Sequence, residues 1–399
     1  MQSKLSEKGF VLPILISLVV IILLGLFFRL VVRNRLSKTT IASPSTISTY
    51  FPTKFKNDNF GVNTGIALGD PRMDEAMKMA SEAGIAWIRI GCYWDQVEPQ
   101  ENNWTWEFCD QVINNVTSVG LKPVFGLSYA PQWCSESPAT GQAGPGGGIV
   151  TPDYRDKAAP CDYQKFYNYV YQVVLRYGAR GQNKVTVWEV GNEPDLSRGM
   201  LLEGPEKNPA AEYAHILKTA HDAVKTADPN GKVLFGGLAE ESQYLPNFFY
   251  DTLHDAKNPA ADNFDIANFH TYGTKEVTKK YMDKLKADLA SVGASKPAWV
   301  TEVGSPSNSR DGIVEEDRQA NYLKDMLPYI LSIGVEKVFW FTLLDSPRAN
   351  DEFCTEGLIY FKGYQCLTVR PKAVPNPIPP LTAKKAYFSF KDLISSSAK

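Results

Sequence analysis

Val187-Trp188-Glu189-Val190-Gly191-Asn192-Glu193-Pro194 reads as a short apolar run that stops in a turn, and Trp299-Val300-Thr301-Glu302-Val303-Gly304 repeats that pattern further along the chain. Each run is rich in β-branched and aromatic residues, the composition of a buried strand. Each also delivers a glutamate at its end. An ionised carboxylate in an apolar setting is costly unless it is paired or neutralised. Two strand ends of this kind therefore point to two acids facing each other across a cleft.

Outward from these runs, short apolar stretches alternate with longer amphipathic ones. Strands are expected at 61–63, 86–90, 122–127, 185–190, 232–236, 265–269, 298–301 and 335–341. Helices are expected at 73–83, 106–119, 163–177, 211–226, 274–292, 315–333 and 383–393. Strand–helix alternation builds a parallel sheet, and eight units build a closed (β/α)8 TIM barrel. In such barrels the chemistry sits on the loops after the carboxyl ends of the strands. Glu193 follows the fourth strand and Glu302 ends the seventh, so closure of the barrel brings both to its mouth.

Composition narrows the class of partner. With 42 basic and 44 acidic side chains the net charge is −2, which gives no basic footprint for nucleic acid. Four histidines and six cysteines, with no Cys-x-x-Cys pair, argue against a metal site. Cys134 with Cys161, and Cys354 with Cys366, bracket polar loops and are read as loop-closing disulfides in an oxidising compartment. Cys92 and Cys109 read as core thiols. The run from Phe10 to Phe28 carries no charge, and at about 1.5 Å per residue it nearly spans a hydrocarbon core of roughly 30 Å. The expected order is a tail (1–9), a transmembrane anchor (10–33), a flexible Ser/Thr-rich linker (34–58) and a barrel domain (59–395). Lys4 and Lys8 precede the apolar run while Arg29, Arg33, Arg35 and Lys38 follow it, a charge bias toward a cytoplasmic barrel.

The Asn192-Glu193-Pro194 turn after strand four and the Thr301-Glu302-Val303-Gly304 end of strand seven resemble the clan A glycoside hydrolases. Trp87-Ile88-Arg89-Ile90, Tyr93-Trp94-Asp95-Gln96-Val97-Glu98-Pro99, Asn268-Phe269-His270-Thr271-Tyr272 and Glu356-Gly357-Leu358 extend the likeness over roughly residues 60–393. The likeness is nearest to family 39 and its bacterial exopolysaccharide endo-glycosidase branch. It implies a retaining glycosidase acting on O-glycosyl bonds with no cofactor. Glu193 would be the acid/base and Glu302 the nucleophile. It also implies a β-linked oligo- or polysaccharide substrate, a monomeric catalytic domain and, against the charge bias, an extracytoplasmic barrel on a membrane anchor. A transglycosylase or a silent sugar-binding barrel would share these motifs.

Double displacement sets the supporting roles. Glu193 has to hold a proton for the departing oxygen, and Glu302 has to remain ionised to attack. Arg89, at the end of strand two, is the candidate cation beside Glu302. Tyr272 is placed to donate its hydroxyl to Glu302, and His270 to orient either carboxylate. Asn192 offers an amide to a sugar hydroxyl. Trp94 and Trp133 are candidate stacking platforms, as is Tyr129, whereas Trp340 reads as core. Glu189 is expected to pair inside the barrel, and Glu98 to cap a loop. The insertions at 130–160 and 345–365 are expected to shape the cleft.

Overall fold

The computed structural model describes residues 57–64, 72–128, 130–134, 159–182, 184–196, 208–239, 247–308, 315–345, 355–361 and 380–397. The anchor, nearly all of the linker, Tyr129, most of the 130–160 insertion and the Cys354–Cys366 pair lie outside the described residues. Among the described residues no helix is long and apolar enough to cross a membrane. The chain divides into two units, Met1–Pro52 and Thr53–Lys399, and the barrel belongs to the second.

Eight strands form one parallel sheet: β1 (Phe60–Asn63), β2 (Trp87–Gly91), β3 (Lys122–Leu127), β4 (Val187–Val190), β5 (Lys232–Phe235), β6 (Ala267–Thr271), β7 (Ala298–Val303) and β8 (Lys337–Trp340). Their order is β5-β4-β3-β2-β1-β8-β7-β6. β5 and β6 are joined by the isolated bridges Leu234–Ile266 and Leu238–Phe269, so the barrel is nearly closed. The helices are α1 (Met73–Glu82), α2 (Trp94–Val97), α3 (Glu107–Ser118), α4 (Tyr163–Tyr177), α5 (Pro209–Ala227), α6 (Phe248–Leu253), α7 (Lys275–Ser291), α8 (Glu316–Ser332) and α9 (Lys385–Ser397). Every expected strand and helix is present. Two short helices, α2 and α6, and an antiparallel pair, β9 (Ile359–Phe361) with β10 (Leu381–Ala383), were not read from the sequence. All are too short to show a period.

Helix starts follow local chemistry. The Asp162 side chain accepts from the Gln164 and Lys165 amides at the head of α4. Asn208 does the same for Ala210 and Ala211 at the head of α5, where Pro209 needs no partner for a missing N–H.

Period-2 alternation puts residues 87 and 89 of β2, and 187 and 189 of β4, on the same inner face. The lower interior is apolar, filled by Trp87, Val124, Val187, Leu234, Ile266, Trp299 and Phe339. Gly61 makes room there, because a Cβ on it would lie 2.3 Å from the Phe339 ring. Asp58 closes the amino-terminal end, accepting from the Trp87 indole at 3.1 Å and pairing with Lys337 at 2.7 Å. Lys337 Nζ lies 4.8 Å from the Trp87 ring centre. The folded chain thus already includes Asn57 and Asp58, which the sequence reading assigned to the linker.

One layer higher the interior turns polar. Asn63, Arg89, Glu189, Asn268 and Thr301 meet there in one hydrogen-bonded set.

The cysteine reading needs one correction. Cys134–Cys161 is bridged as expected, with Cα atoms 4.9 Å apart. Cys92 and Cys109 are not core thiols; they form a second bridge, Cα to Cα 5.9 Å, between the end of β2 and α3. Both side chains are fully buried, so hydrophobic context alone gave no sign of the bond. Closing a loop of 17 positions contributes about 3 kcal/mol by chain-entropy reasoning. The Cys92→Ser/Cys109→Ser variant is expected to melt several degrees below the wild type in scanning calorimetry. Equal melting temperatures would show that the bridge contributes nothing.

Candidate active site

β7 carries one residue more than either neighbour. Phe269 pairs with Val300 and His270 with Glu302, so Thr301 is extra; on the other side Val300 pairs with Val338 and Val303 with Trp340. A regular strand would send Thr301 and Glu302 to opposite faces. The bulge turns both inward. Thr301 Oγ1 reaches Glu189 at 3.2 Å and His270 Nε2 at 3.1 Å, while Glu302 enters the mouth.

β4 ends differently. Gly191 has φ +78° and Glu193 φ +46°, the left-handed region that a side chain other than glycine adopts at a cost. The Glu193 amide donates to Gly237 O at 3.0 Å, which holds the turn in place. Glu193 and Glu302 then face each other with His270 between them. One oxygen of each carboxylate and one His270 nitrogen all lie within 4.8 Å of one another.

Glu302 is anchored on both oxygens. Arg89 Nη1 donates to Oε1, and the Tyr272 hydroxyl donates to Oε2 at 2.6 Å. Arg89 also grips Glu189 through Nε and Nη2, the latter at 3.0 Å. Burial opposes the Arg89 charge, but Glu189 and Glu302 outweigh it and hold the guanidinium above its ordinary value. Glu189 has no exposed surface and receives further hydrogen bonds from Asn268 and Thr301. It is thus the internal partner expected of it.

Asn192 Oδ1 accepts from Arg89 Nη2 at 2.7 Å. Arginine only donates, so the amide orientation is fixed and its NH2 end is left for a ligand. His270 is fully buried, with Nδ1 3.0 Å from Glu193 Oε1. Burial works against its charge, yet Glu302 and Glu193 raise its pKa. His270 Nδ1 and Glu193 Oε1 are within hydrogen-bond distance, so a proton can pass between them, and Thr301 Oγ1 contacts the other ring nitrogen. Burial, then Glu302, drives the Tyr272 hydroxyl well above its usual range, so it stays a donor. The same three groups offer donor atoms that would suit a metal ion. Here Arg89 answers the charge of Glu302, and hydrogen bonds link His270 to Glu193 and Tyr272 to Glu302.

A cavity of about 150 Å³ opens beside Glu302, lined by Asn63, Thr64, Arg89, Tyr93, Ser128, Asn192 and Phe341 among others. It is smaller than the roughly 300–1,000 Å³ filled by drug-sized ligands. Tyr93, Ser128 and Phe341 were not among the expected site residues. Phe341 is one position past Trp340, the phase that points inward.

Two of the expected aromatics belong elsewhere. Trp94 is not a platform: it is fully buried, stacked on Tyr169 at 5.3 Å and bonded to Glu98 Oε2 at 2.7 Å. Trp133 packs edge-on against Trp94 and donates to Glu98 O at 2.9 Å. Both are held by the loop that Glu98 caps through the Asn102 amide at 2.8 Å. Trp340 is core, as expected.

Gly237 is a further residue the sequence reading missed. A Cβ there would sit 2.0 Å from His270 Nε2. Gly237→Ala must displace the imidazole or the loop, and misplacement of about 1 Å costs on the order of 10²-fold in rate. A 4-nitrophenyl glycoside assay is expected to show that loss in kcat with the fold retained, and wild-type kcat would contradict the packing argument.

A family model described as Cellulase (glycosyl hydrolase family 5) matches residues 50–342. No curated protein sequence matches the chain. Among solved structures, the chain is similar to a family 39 glycoside hydrolase from Bacteroides cellulosilyticus WH2 (19% identity, 86% of this chain and 64% of that one, TM-score 0.59). It is also similar to the exo-beta-1,4-mannosidase Op5Man5 from Opitutaceae bacterium strain TAV5 (15%, 84% and 59%, 0.58). A third similar structure is the family 1 β-glucosidase from Thermotoga maritima (13%, 86% and 98%, 0.57). The chain spans less than two thirds of the first two proteins, and at these identities the likeness concerns the fold. The clan expected from sequence holds; the matching model is that of family 5, and family 39 appears among the similar structures.

Proposed function

The chain belongs to the cellulase family, glycosyl hydrolase family 5, and is a glycosidase; from that premise we propose that it cleaves O-glycosidic bonds of a cell-envelope or extracellular polysaccharide with retention, by double displacement. The observation that carries the proposal is the facing of Glu193 and Glu302, with an oxygen of each within 4.8 Å. Retaining enzymes hold their carboxyl groups about 5–5.5 Å apart, and inverting ones roughly 6.5–9.5 Å, to admit a water.

Glu302, held by Arg89 and Tyr272, attacks the anomeric carbon. The proton shared by His270 and Glu193 passes to the leaving oxygen from Glu193. The glycosyl–Glu302 ester is then hydrolysed by a water that gives its proton back to Glu193. Asn192, through its NH2 group, binds a sugar hydroxyl in the cavity. Arg89 is the one cation among the described lining residues, and it is committed to carboxylates. Two disulfides favour an oxidising compartment. Together with the uncharged Phe10–Phe28 run, they support the reading of a barrel held outside the cytoplasm by a membrane anchor.

Trapping tests the assignment. Incubation with 2,4-dinitrophenyl 2-deoxy-2-fluoro-glycosides, followed by peptide mass spectrometry, is expected to place the adduct on Glu302. An adduct on any other residue would overturn the roles proposed.

A further inference from the structure

Three consecutive residues beyond β5 serve the acid/base side of the site. Gly237 O accepts from the Glu193 amide at 3.0 Å. Leu238 exchanges backbone bonds with β6, its amide to Asn268 O at 3.3 Å and its carbonyl from the His270 amide at 2.7 Å. The Ala239 amide donates at 3.0 Å to Oδ1 of Asp195. This segment lies where the β5–β6 ladder is reduced to isolated bridges, so it takes the place of that ladder at the mouth. Asp195 is its anchor on the β4 side. Asp195 is buried, with 3% of its surface exposed, two positions from Glu193.

We propose that Asp195 is a positioning residue for the acid/base pair: it ties the β4 turn to the 237–239 segment, and its charge favours the proton shared by Glu193 and His270. The inference rests on the acid/base role of Glu193. Burial pushes the Asp195 carboxyl up to about 7, against the Ala239 hydrogen bond; the Glu193 charge adds to the rise and His270 opposes it. Coupling between titrating groups is mutual. An ionised Asp195 must therefore raise the proton affinity of both Glu193 and His270. The sign follows. As pH rises through about 7, Asp195 gains its charge and resists the loss of the proton that departure of the leaving group needs. Among the described residues, the other charged and titratable groups facing this cluster are Glu302 from β7, Arg89 from β2, Tyr272 beyond β6 and Tyr213 from α5, whose hydroxyl bonds the Gly236 amide, with Glu356 acting on Tyr272 and Glu189 on Tyr213. Asp195→Asn leaves all of them in place. A buried carboxylate whose proton is favoured by folding costs stability as pH rises, which is the usual mark of a group kept for function.

The test uses the full chain labelled with [15N]histidine. Four histidines give four titration curves, and His270 is assigned by its absence in His270→Gln. In Asp195→Asn, which keeps an acceptor for Ala239, the His270 midpoint is expected to fall by about one pH unit. In parallel, kcat/KM on a panel of 4-nitrophenyl β-glycosides is expected to decline at lower pH than in the wild type. Asp195→Ser, read the same way, covers the case in which the amide variant does not fold. An unmoved His270 midpoint, or a shared alkaline limb, would overturn the inference. A Glu193→Ala enzyme slowed on substrates with poor leaving groups would at the same time leave the proposed function standing. A Glu193→Ala enzyme with wild-type rates would instead remove the function itself.

Discussion

Glu302→Gln is expected to lower kcat on aryl glycosides by on the order of 10⁴-fold or more, the scale seen when a covalent nucleophile is removed. The loss arises because the amide cannot form the glycosyl ester. Folding should survive the change. Glu302 is one of two carboxylates on Arg89, and the other, Glu189, keeps its own hold through two guanidinium nitrogens. The Gln oxygen can still accept from Arg89, while its NH2 group donates to the Tyr272 hydroxyl oxygen. A melting temperature close to the wild type, with activity abolished, separates chemistry from stability. Retained activity would mean that another group attacks the sugar.

Glu193→Ala is expected to act on one half of the reaction at a time. Loss of a general acid costs about 10²–10⁴-fold, but the cost depends on the leaving group. A 2,4-dinitrophenolate departs without a proton, so the first step on that substrate should be nearly spared. The second step then lacks its base, and the glycosyl ester on Glu302 accumulates. Azide needs no base and should restore turnover, yielding a glycosyl azide of retained configuration. Uniform loss across leaving groups, with no response to azide, would place Glu193 outside the proton transfer.

Both carboxylates were legible because each closes an apolar run, a pattern that is costly without a purpose. Arg89, His270 and Tyr272 were legible through their positions at strand ends together with the resemblance to the clan A glycoside hydrolases. All three now contact the acids assigned to them. What stayed hidden was three-dimensional. The extra residue in β7 has no local signal, yet it turns both Thr301 and Glu302 inward. Gly237 looks like any loop glycine until the His270 ring is packed on it. Trp94 is no platform because a strand-end tryptophan followed by a helix can turn down onto Tyr169 as easily as up toward a ligand, and Trp133 packs edge-on against it. Cys92 and Cys109 were unreadable as a pair because two buried sulfurs look alike whether bonded or free. Asp195 was passed over because Asn192-Glu193-Pro194 drew attention from the next residue; its burial appears only once the 237–239 segment covers it.

The central claim is that Glu302 and Glu193 work as nucleophile and acid/base at the short separation. Proton NMR of the first product formed from a 4-nitrophenyl β-glycoside tests it most directly. The account predicts that the β-hemiacetal appears first and mutarotates afterwards. Initial appearance of the α-hemiacetal would mean direct attack by water and would contradict it.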